Sequence, residues 1–222
     1  VASERDFIKL ASEITECRKC TRLVKWREKI AKEKRAAYAN EIYWGKPIAG
    51  FGDNRAKILV LGLAPGAHGA NRTGRIFTGD RSGDWLFRAM HKAGLASQPE
   101  SVSRQDGLKL TNAWVSTAVK CAPPDNKPTP AERVKCSAFL SRELAMLDQV
   151  KVIVCLGSFS LTSICDELKI RPRPKFGHGV IFSHEKYEIV CSYHPSQQNT
   201  FTGKLTEKMF DSVFAKAVKL AR

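Results

Sequence analysis

The sequence predicts an α/β fold: a three-layer sandwich in which helices flank a central, mainly parallel sheet of four strands. Two observations carry this. Four short runs of β-branched residues and leucine, "AKILVLGLA" (56–64), "LKLTNAW" (108–114), "VKVIVCLG" (150–157) and "EKYEIVCSY" (185–193), read as strands buried on both faces. Segments of helical period stand between and after them, and strict alternation of strand and helix favours parallel pairing. At 222 residues with 43% hydrophobic content, one domain spanning 1–222 is expected, with an N-terminal helical segment joined to it.

An amphipathic segment, about residues 4 to 16, opens the chain, and a basic helical or irregular stretch follows it. The glycines and proline of "IYWGKPIAGFGD" read as loop. The first strand ends at Pro65-Gly66, and the glycine-rich loop "PGAHGANRTGRIFTGD" leads into a helix, "SGDWLFRAMHKAGL", stopped by Gly94. After the second strand, Thr129 is placed as an N-cap, Pro130 at the first helical position and Glu132 to close a capping box. On that helix Cys136, Leu140, Leu144 and Leu147 share one inward face. The third helix is "SFSLTSICDEL", and "GKLTEKMFDSVFAKAVKLA" closes the fold.

No apolar run approaches the roughly eighteen residues of a membrane span, and the first residues lack a signal peptide's apolar core, so a soluble, cytoplasmic protein is expected. A formal net charge of +15 points to a polyanion, nucleic acid first, against the alternative of a merely soluble basic surface. Seven cysteines, an odd number, argue against a disulfide framework. Cys17 and Cys20 form C-x-x-C, a spacing at which two thiolates reach one metal centre, and Cys121 and Cys136 make a candidate second pair. Cys155, Cys165 and Cys191 fall in strands or a helix and read as core.

Ligands of such sheets bind beyond the carboxyl ends of the strands. The first loop brings backbone amides, His68, Arg72, Arg75, Phe77 and Asp80; "TNAW" brings Asn112; "SYHPSQQN" brings His194 and Ser196. Pro195 biases His194 toward an extended conformation at its strand tip. The phosphate-cradling G-x-x-x-x-G-K is absent, which disfavours a P-loop nucleotidase.

Taken together, "GLAPGAHGANRTGRIFTGDRSG", "TNAWVSTAVKCAPPDNKPTP", "SYHPSQQNTFTGK" and the order of four cysteines resemble the uracil-DNA glycosylase superfamily, specifically its iron–sulfur branch, family 5 or type B. The resemblance spans residues 17 to about 204. It implies a monomeric DNA repair enzyme, associated with the nucleoid, that hydrolyses the N-glycosidic bond of uracil or another deaminated base in double-stranded DNA. It further implies that His194 donates to uracil O2 and that Asp80 positions water and offsets positive charge on the sugar. Asp84 competes with Asp80, and an N-cap is the bland role for either. Asn112 would read a base edge and Phe77 stack on the flipped base, with Gly62, Ala64, Pro65 and Gly66 shaping the pocket. His68, Asn71, Arg72, Arg75, Ser196, Gln198 and Asn199 are the implied DNA contacts.

Other branches carry an acidic or amide residue where this chain has Leu63 and Ala64. Gly66 stands where the strictest uracil enzymes have a tyrosine, so the resemblance implies a wider pocket, open to hypoxanthine. For Cys17, Cys20, Cys121 and Cys136 it implies a structural 4Fe-4S cluster, with four-thiolate zinc as the alternative filling. The rival functions are a non-catalytic iron–sulfur DNA-binding module and a relative that captures the sugar covalently.

Overall fold

The structure, a computed structural model, describes residues 2–222. Two helices, α1 (Glu4–Thr15) and α2 (Thr21–Glu33), precede the sheet. Its strands are β1 (Phe51–Gly52), β2 (Ile58–Gly62), β3 (Ala113–Thr117), β4 (Val152–Leu156), β5 (Ile181–His184) and β6 (Tyr187–Ser192), in the order β1-β3-β2-β4-β6-β5. The four central strands are parallel. The sheet has six strands rather than the expected four, because β1 and β5 add antiparallel edges. Neither edge stands out in sequence: β1 has two residues, and β5 alternates exposed with half-buried positions.

Every residue of β2, β3 and β4 is buried, and alternate side chains feed opposite faces. Ile58, Val60, Val152 and Val154 pack against α4 (Arg81–Lys92) and α8 (Glu207–Leu220) through Leu86, Phe87, Phe210 and Phe214. Leu59, Leu61, Ile153 and Cys155 face α5 (Pro130–Met146) and α6 (Ser158–Glu167) through Leu140, Leu144, Leu161 and Ile164. A third cluster, Leu10, Ile14, Leu23, Val119, Cys121, Cys136 and Phe139, fastens α1 and α2 to the chain beyond β3.

The capping box of α5 forms as its sequence dictates: the Glu132 N–H donates to Thr129 Oγ1 at 3.2 Å, and the Thr129 N–H to Glu132 Oε2 at 2.8 Å. The second strand differs from expectation. It begins at Ala113, where "LKLTNAW" nearly ends, because Asn112 takes a left-handed φ of +55° that an extended strand does not admit. The Asn112 N–H donates to Asp53 Oδ2 at 2.9 Å, and its carbonyl accepts from Lys57 and Ile58 at 3.1 and 3.0 Å. Asn112 therefore sits at the amino end of β3, at the edge opposite the strands' carboxyl ends.

The loop between β2 and α4 is held from beneath by Arg75. Its guanidinium donates to Thr78 Oγ1 at 3.1 Å, Ser101 Oγ at 2.7 Å and Asp106 Oδ2 at 2.5 Å, with the Arg75 and Asp106 side chains 9% and 6% exposed. Burial alone would raise the Asp106 carboxyl, but Arg75 and the amides of Leu108, Val102 and Ser103 outweigh it and bring it down to about 2. A carboxylate depressed in the fold contributes stability above its ordinary value of 3.8 and loses it as pH falls toward 2. Asp106→Ala, which strands a buried guanidinium, is expected to cost about 3–5 kcal/mol at neutral pH. In urea unfolding the gap between wild type and variant should close as pH drops from 4 to about 2; a gap independent of pH would refute the pairing.

Candidate active site

A cleft of about 750 Å³ opens beyond the carboxyl ends of β2 and β6. One wall is the loop after β2, from Leu63 to Asp80; another is the segment after β6, with Ser196, Gln197 and Gln198; Asp125 and Asn126 close a third side, and Arg35 and Tyr38 stand at the rim. The first loop turns on local bonds. The Asn71 N–H reaches back to the Gly66 carbonyl at 2.9 Å and starts the single turn α3 (Ala70–Thr73), which Gly74 ends at φ +77°. Phe77 takes φ +52°, a conformation costing a bulky residue about 1–3 kcal/mol. The buried Arg75, Thr78 and Ser101 set holds it there, and Gly83 lets α4 approach the Phe77 carbonyl with no Cβ between.

His194 follows the last residue of β6 by two, and Pro195 after it disfavours helical backbone there. The Asn199 side-chain amide clamps the His194 carbonyl at 2.9 Å, and Ser196 caps α7 (Gln197–Phe201) through Asn199 N–H at 3.3 Å. The imidazole stacks on Phe77, with ring centroids 5.8 Å apart and 29° between planes. Burial, with no charged neighbour to oppose it, pushes the ring down to about 4. At neutral pH it is uncharged and offers one N–H donor.

Asp80 fills two of the roles its sequence context allows. Its Oδ1 accepts from the Gly83 N–H at 3.2 Å and caps α4, while the carboxylate also borders the cleft. A Cβ on Gly66 would lie 2.9 Å from Asp80 Oδ2, and one on Gly69 would overlap the carboxylate outright. Those glycines make room for the acid. Burial raises the Asp80 carboxyl above the ordinary 3.8, while amide bonds from Gly83 and Ser82 pull the other way and Arg72 offsets it least. Asp84 lies exposed in the first turn of α4, outside the cleft lining.

The remaining sequence-predicted residues divide. Phe77, Ala64, Gly66, His68, Ser196 and Gln198 border the cleft. Gly62 lies behind the Phe77 ring, whose Cζ a Cβ would meet at 2.6 Å, and Pro65 is buried, so both shape the wall without lining it. Asn112 is at the far edge of the sheet and cannot read a base here. Arg72 is no free DNA contact: it donates to the carbonyls of His68 and Gly79 at 2.8 and 2.9 Å and to Glu41 at 2.5 Å, beneath the Tyr38 ring. Asn71 and Arg75 are buried. Asn199 spends its amide on His194. Sequence reasoning missed Asp125 and Asn126, which take φ +52° and +54° in a 3-10 turn and project to the rim. The signal was "PPDNKP", a turn between two candidate ligand cysteines.

Cys17, Cys20, Cys121 and Cys136 line one small cavity away from the cleft, with Leu23, Val24, Pro47 and Phe139. Among the described residues no three His, Cys, Asp or Glu side chains close around a point suited to a single metal ion. Burial pushes the Cys121 and Cys136 thiols up to about 12 and about 11, so a metal group bound there would displace protons. Two sulfurs already receive N–H donors: Arg27 Nη1 to Cys121 at 3.0 Å and the Lys120 amide to Cys136 at 3.4 Å. Cys155, Cys165 and Cys191 are buried in the core between sheet and helices.

Comparison with known proteins gives the family of the chain. The uracil DNA glycosylase superfamily profile matches residues 49–218. A type-5 uracil-DNA glycosylase of Mycobacterium tuberculosis is 49% identical over 217 residues, covering 94% of this chain and 79% of that protein. One from Thermus thermophilus is 47% identical over 210 residues, covering 94% of this chain and 95% of the other. A type-4 enzyme of Archaeoglobus fulgidus is 29% identical over 158 residues, 67% of this chain and 70% of its own. With the profile covering both cleft-forming loops and the strands that carry them, the chain belongs to the uracil-DNA glycosylase superfamily.

Proposed function

We propose that this chain hydrolyses the N-glycosidic bond of uracil in duplex DNA, and of larger deaminated bases such as hypoxanthine, leaving an abasic site for base excision repair. One observation carries the reading: an uncharged imidazole and a poorly solvated carboxylate border the same cleft, with an aromatic ring between strand tip and loop. The similarity to proteins named uracil-DNA glycosylases supports it.

Departure of the base leaves negative charge on uracil and positive charge on the sugar. A neutral N–H on His194, aimed at uracil O2, stabilises the first without an ion pair in the ground state, worth about 2.7–4 kcal/mol by analogy with oxyanion holes. Asp80 serves the second. Its carboxylate has lost water to burial and gained little compensating charge, so an oxocarbenium-like sugar supplies in the transition state the partner absent before it. The same oxygen is suited to orient the attacking water. Gly66 keeps this wall clear, which supports admission of bases larger than uracil. Arg35, Arg81 and Gln197 on the cleft border, and Phe201 beside them at 68% exposure under the Arg81 guanidinium, suit backbone contact and filling of the vacated stack. Asn126, at the rim, offers the amide edge that Asn112 cannot.

The four thiols fit a 4Fe-4S cluster: soft donors surround a common cavity and N–H groups already point at two of them. When bound, such a cluster supplies a rigid crosslink between the N-terminal helices and the chain beyond β3. Its ligands stand apart from the cleft lining, and no catalytic step passes through it.

Asp80→Asn keeps an N-cap of equal quality, so kcat for uracil excision should fall about 10²-fold or more with the unfolding midpoint unchanged. A parallel loss of stability would return Asp80 to a purely structural role. Because burial raises the carboxyl, the acid limb of wild-type kcat should lie above 3.8 and vanish in the variant. His194→Ala should lower kcat about 10²–10³-fold. In Gly66→Tyr the new side chain must move Asp80 and also fill the pocket, so excision of uracil and hypoxanthine should both fall, hypoxanthine further; an unchanged ratio would defeat the wide-pocket reading. Strand scission of the product only after alkali distinguishes hydrolysis from covalent capture, which leaves a protein–DNA adduct.

A further inference from the structure

Arg27 is 2% exposed, yet among the described residues no buried carboxylate pairs with it. Glu28, 3.9 Å away, is 44% exposed on its side chain and already held by Arg18 at 2.5 Å. The guanidinium faces the cysteine cavity instead: both terminal nitrogens donate to the Cys17 carbonyl at 3.3 Å, and Nη1 reaches Cys121 Sγ at 3.0 Å. Its Nε has no hydrogen-bond partner among the described residues. The other buried cation nearby, Lys120, is already paired with Glu143 at 2.6 Å, and the two further lysines on the cavity lining, Lys19 and Lys135, are exposed to solvent. An unpaired guanidinium in the interior costs several kcal/mol, and an apolar residue would pack α2 without that cost. Such a group is retained where an anion shares its site.

We propose that Arg27 is the counter-charge of the four-thiolate group: it offsets the net negative charge of a cluster held by Cys17, Cys20, Cys121 and Cys136 and donates to one of its sulfurs. This rests on the cluster reading above. Arg27 touches no substrate; it positions and retains the cluster. Because it binds the carbonyl of one ligand and the sulfur of another, it also spans the N-terminal C-x-x-C and the ligand beyond β3. Positive charge and N–H donors at the sulfurs favour the more negative, reduced state, so its loss acts on potential as well as retention.

The test compares wild type with Arg27→Met, Arg27→Gln and Arg27→Lys by iron and acid-labile sulfide content, rate of iron loss to a chelator, and midpoint potential of the bound cluster. Removing the charge should speed iron loss about 10–100-fold and shift the potential negative, with Lys restoring much of the shift and Gln little. Should Met fail to fold, Lys against Gln decides alone, since both keep polar reach and only one keeps charge. In urea the iron-free Met chain should be at least as stable as iron-free wild type. Wild type with iron and sulfide, and variants matching it in potential and loss rate, would overturn the role of Arg27. Wild type lacking iron and sulfide overturns the cluster reading and this inference with it.

Discussion

Parallel pairing of β2 with β3 on one side and β4 on the other is the constraint from which the site follows. The register sets Ile58 beside Ala113 and Val152, so all central strands leave the sheet at one edge, and loops distant in sequence gather there. Parallel strands need crossover connections, and the helices in them cover both faces and bury every side chain of the middle strands. A cleft at the carboxyl edge is consequently built from backbone turns at strand ends, where neither helix nor ladder constrains the chain and glycine and asparagine conformations are decisive.

Within that cleft desolvation acts in opposite directions on its two principal groups. It drives His194 toward the neutral form and holds a proton more tightly on Asp80. No ion pair joins them, so the uncharged imidazole leaves the Asp80 carboxylate without a partner across the cleft. A positively charged histidine would bind an anionic product strongly and slow its release; a neutral donor stabilises charge only as that charge develops. The glycines at 66 and 69 belong to the same design, because a Cβ at either would crowd the Asp80 carboxylate out of its place on the cleft border.

Much of this was legible in the sequence, and the exceptions have physical causes. The first, third and fourth of the expected strands, the Thr129 capping box and the inward face of Cys136, Leu140 and Leu144 follow from period and cap chemistry, which are local. The edge strands are not: β1 is two residues whose pairing depends on β3, and β5 exists through its hairpin with β6. Asn112 was misplaced because "LKLT" has strand composition while the φ of +55° at Asn112 is set by its bonds to Asp53, Lys57 and Ile58, all distant in sequence. Arg72 and Arg75 read as free basic residues for a related reason, since their acceptors, Glu41 and Asp106, are remote. Asp125 and Asn126 escaped notice because a proline-flanked turn ordinarily signals only a change of direction.

That turn joins the two centres of the molecule. The chain leaves the cysteine cavity at Cys121, rises to the cleft at Asp125 and Asn126, and returns through the Thr129 cap to Cys136. Its descending limb is tied to α2 by Arg22, which binds Glu132 at 2.7 Å and the Lys127 carbonyl at 3.1 Å. Both ends of the segment are thus anchored in the N-terminal layer, whereas His194 and Asp80 are anchored in the sheet and in α4. Loosening the cysteine cavity must therefore act first on the Asp125–Asn126 border of the cleft. The imidazole and carboxylate keep supports that do not pass through the thiols, so the N-terminal layer holds one border of the cleft while the sheet and α4 hold the other.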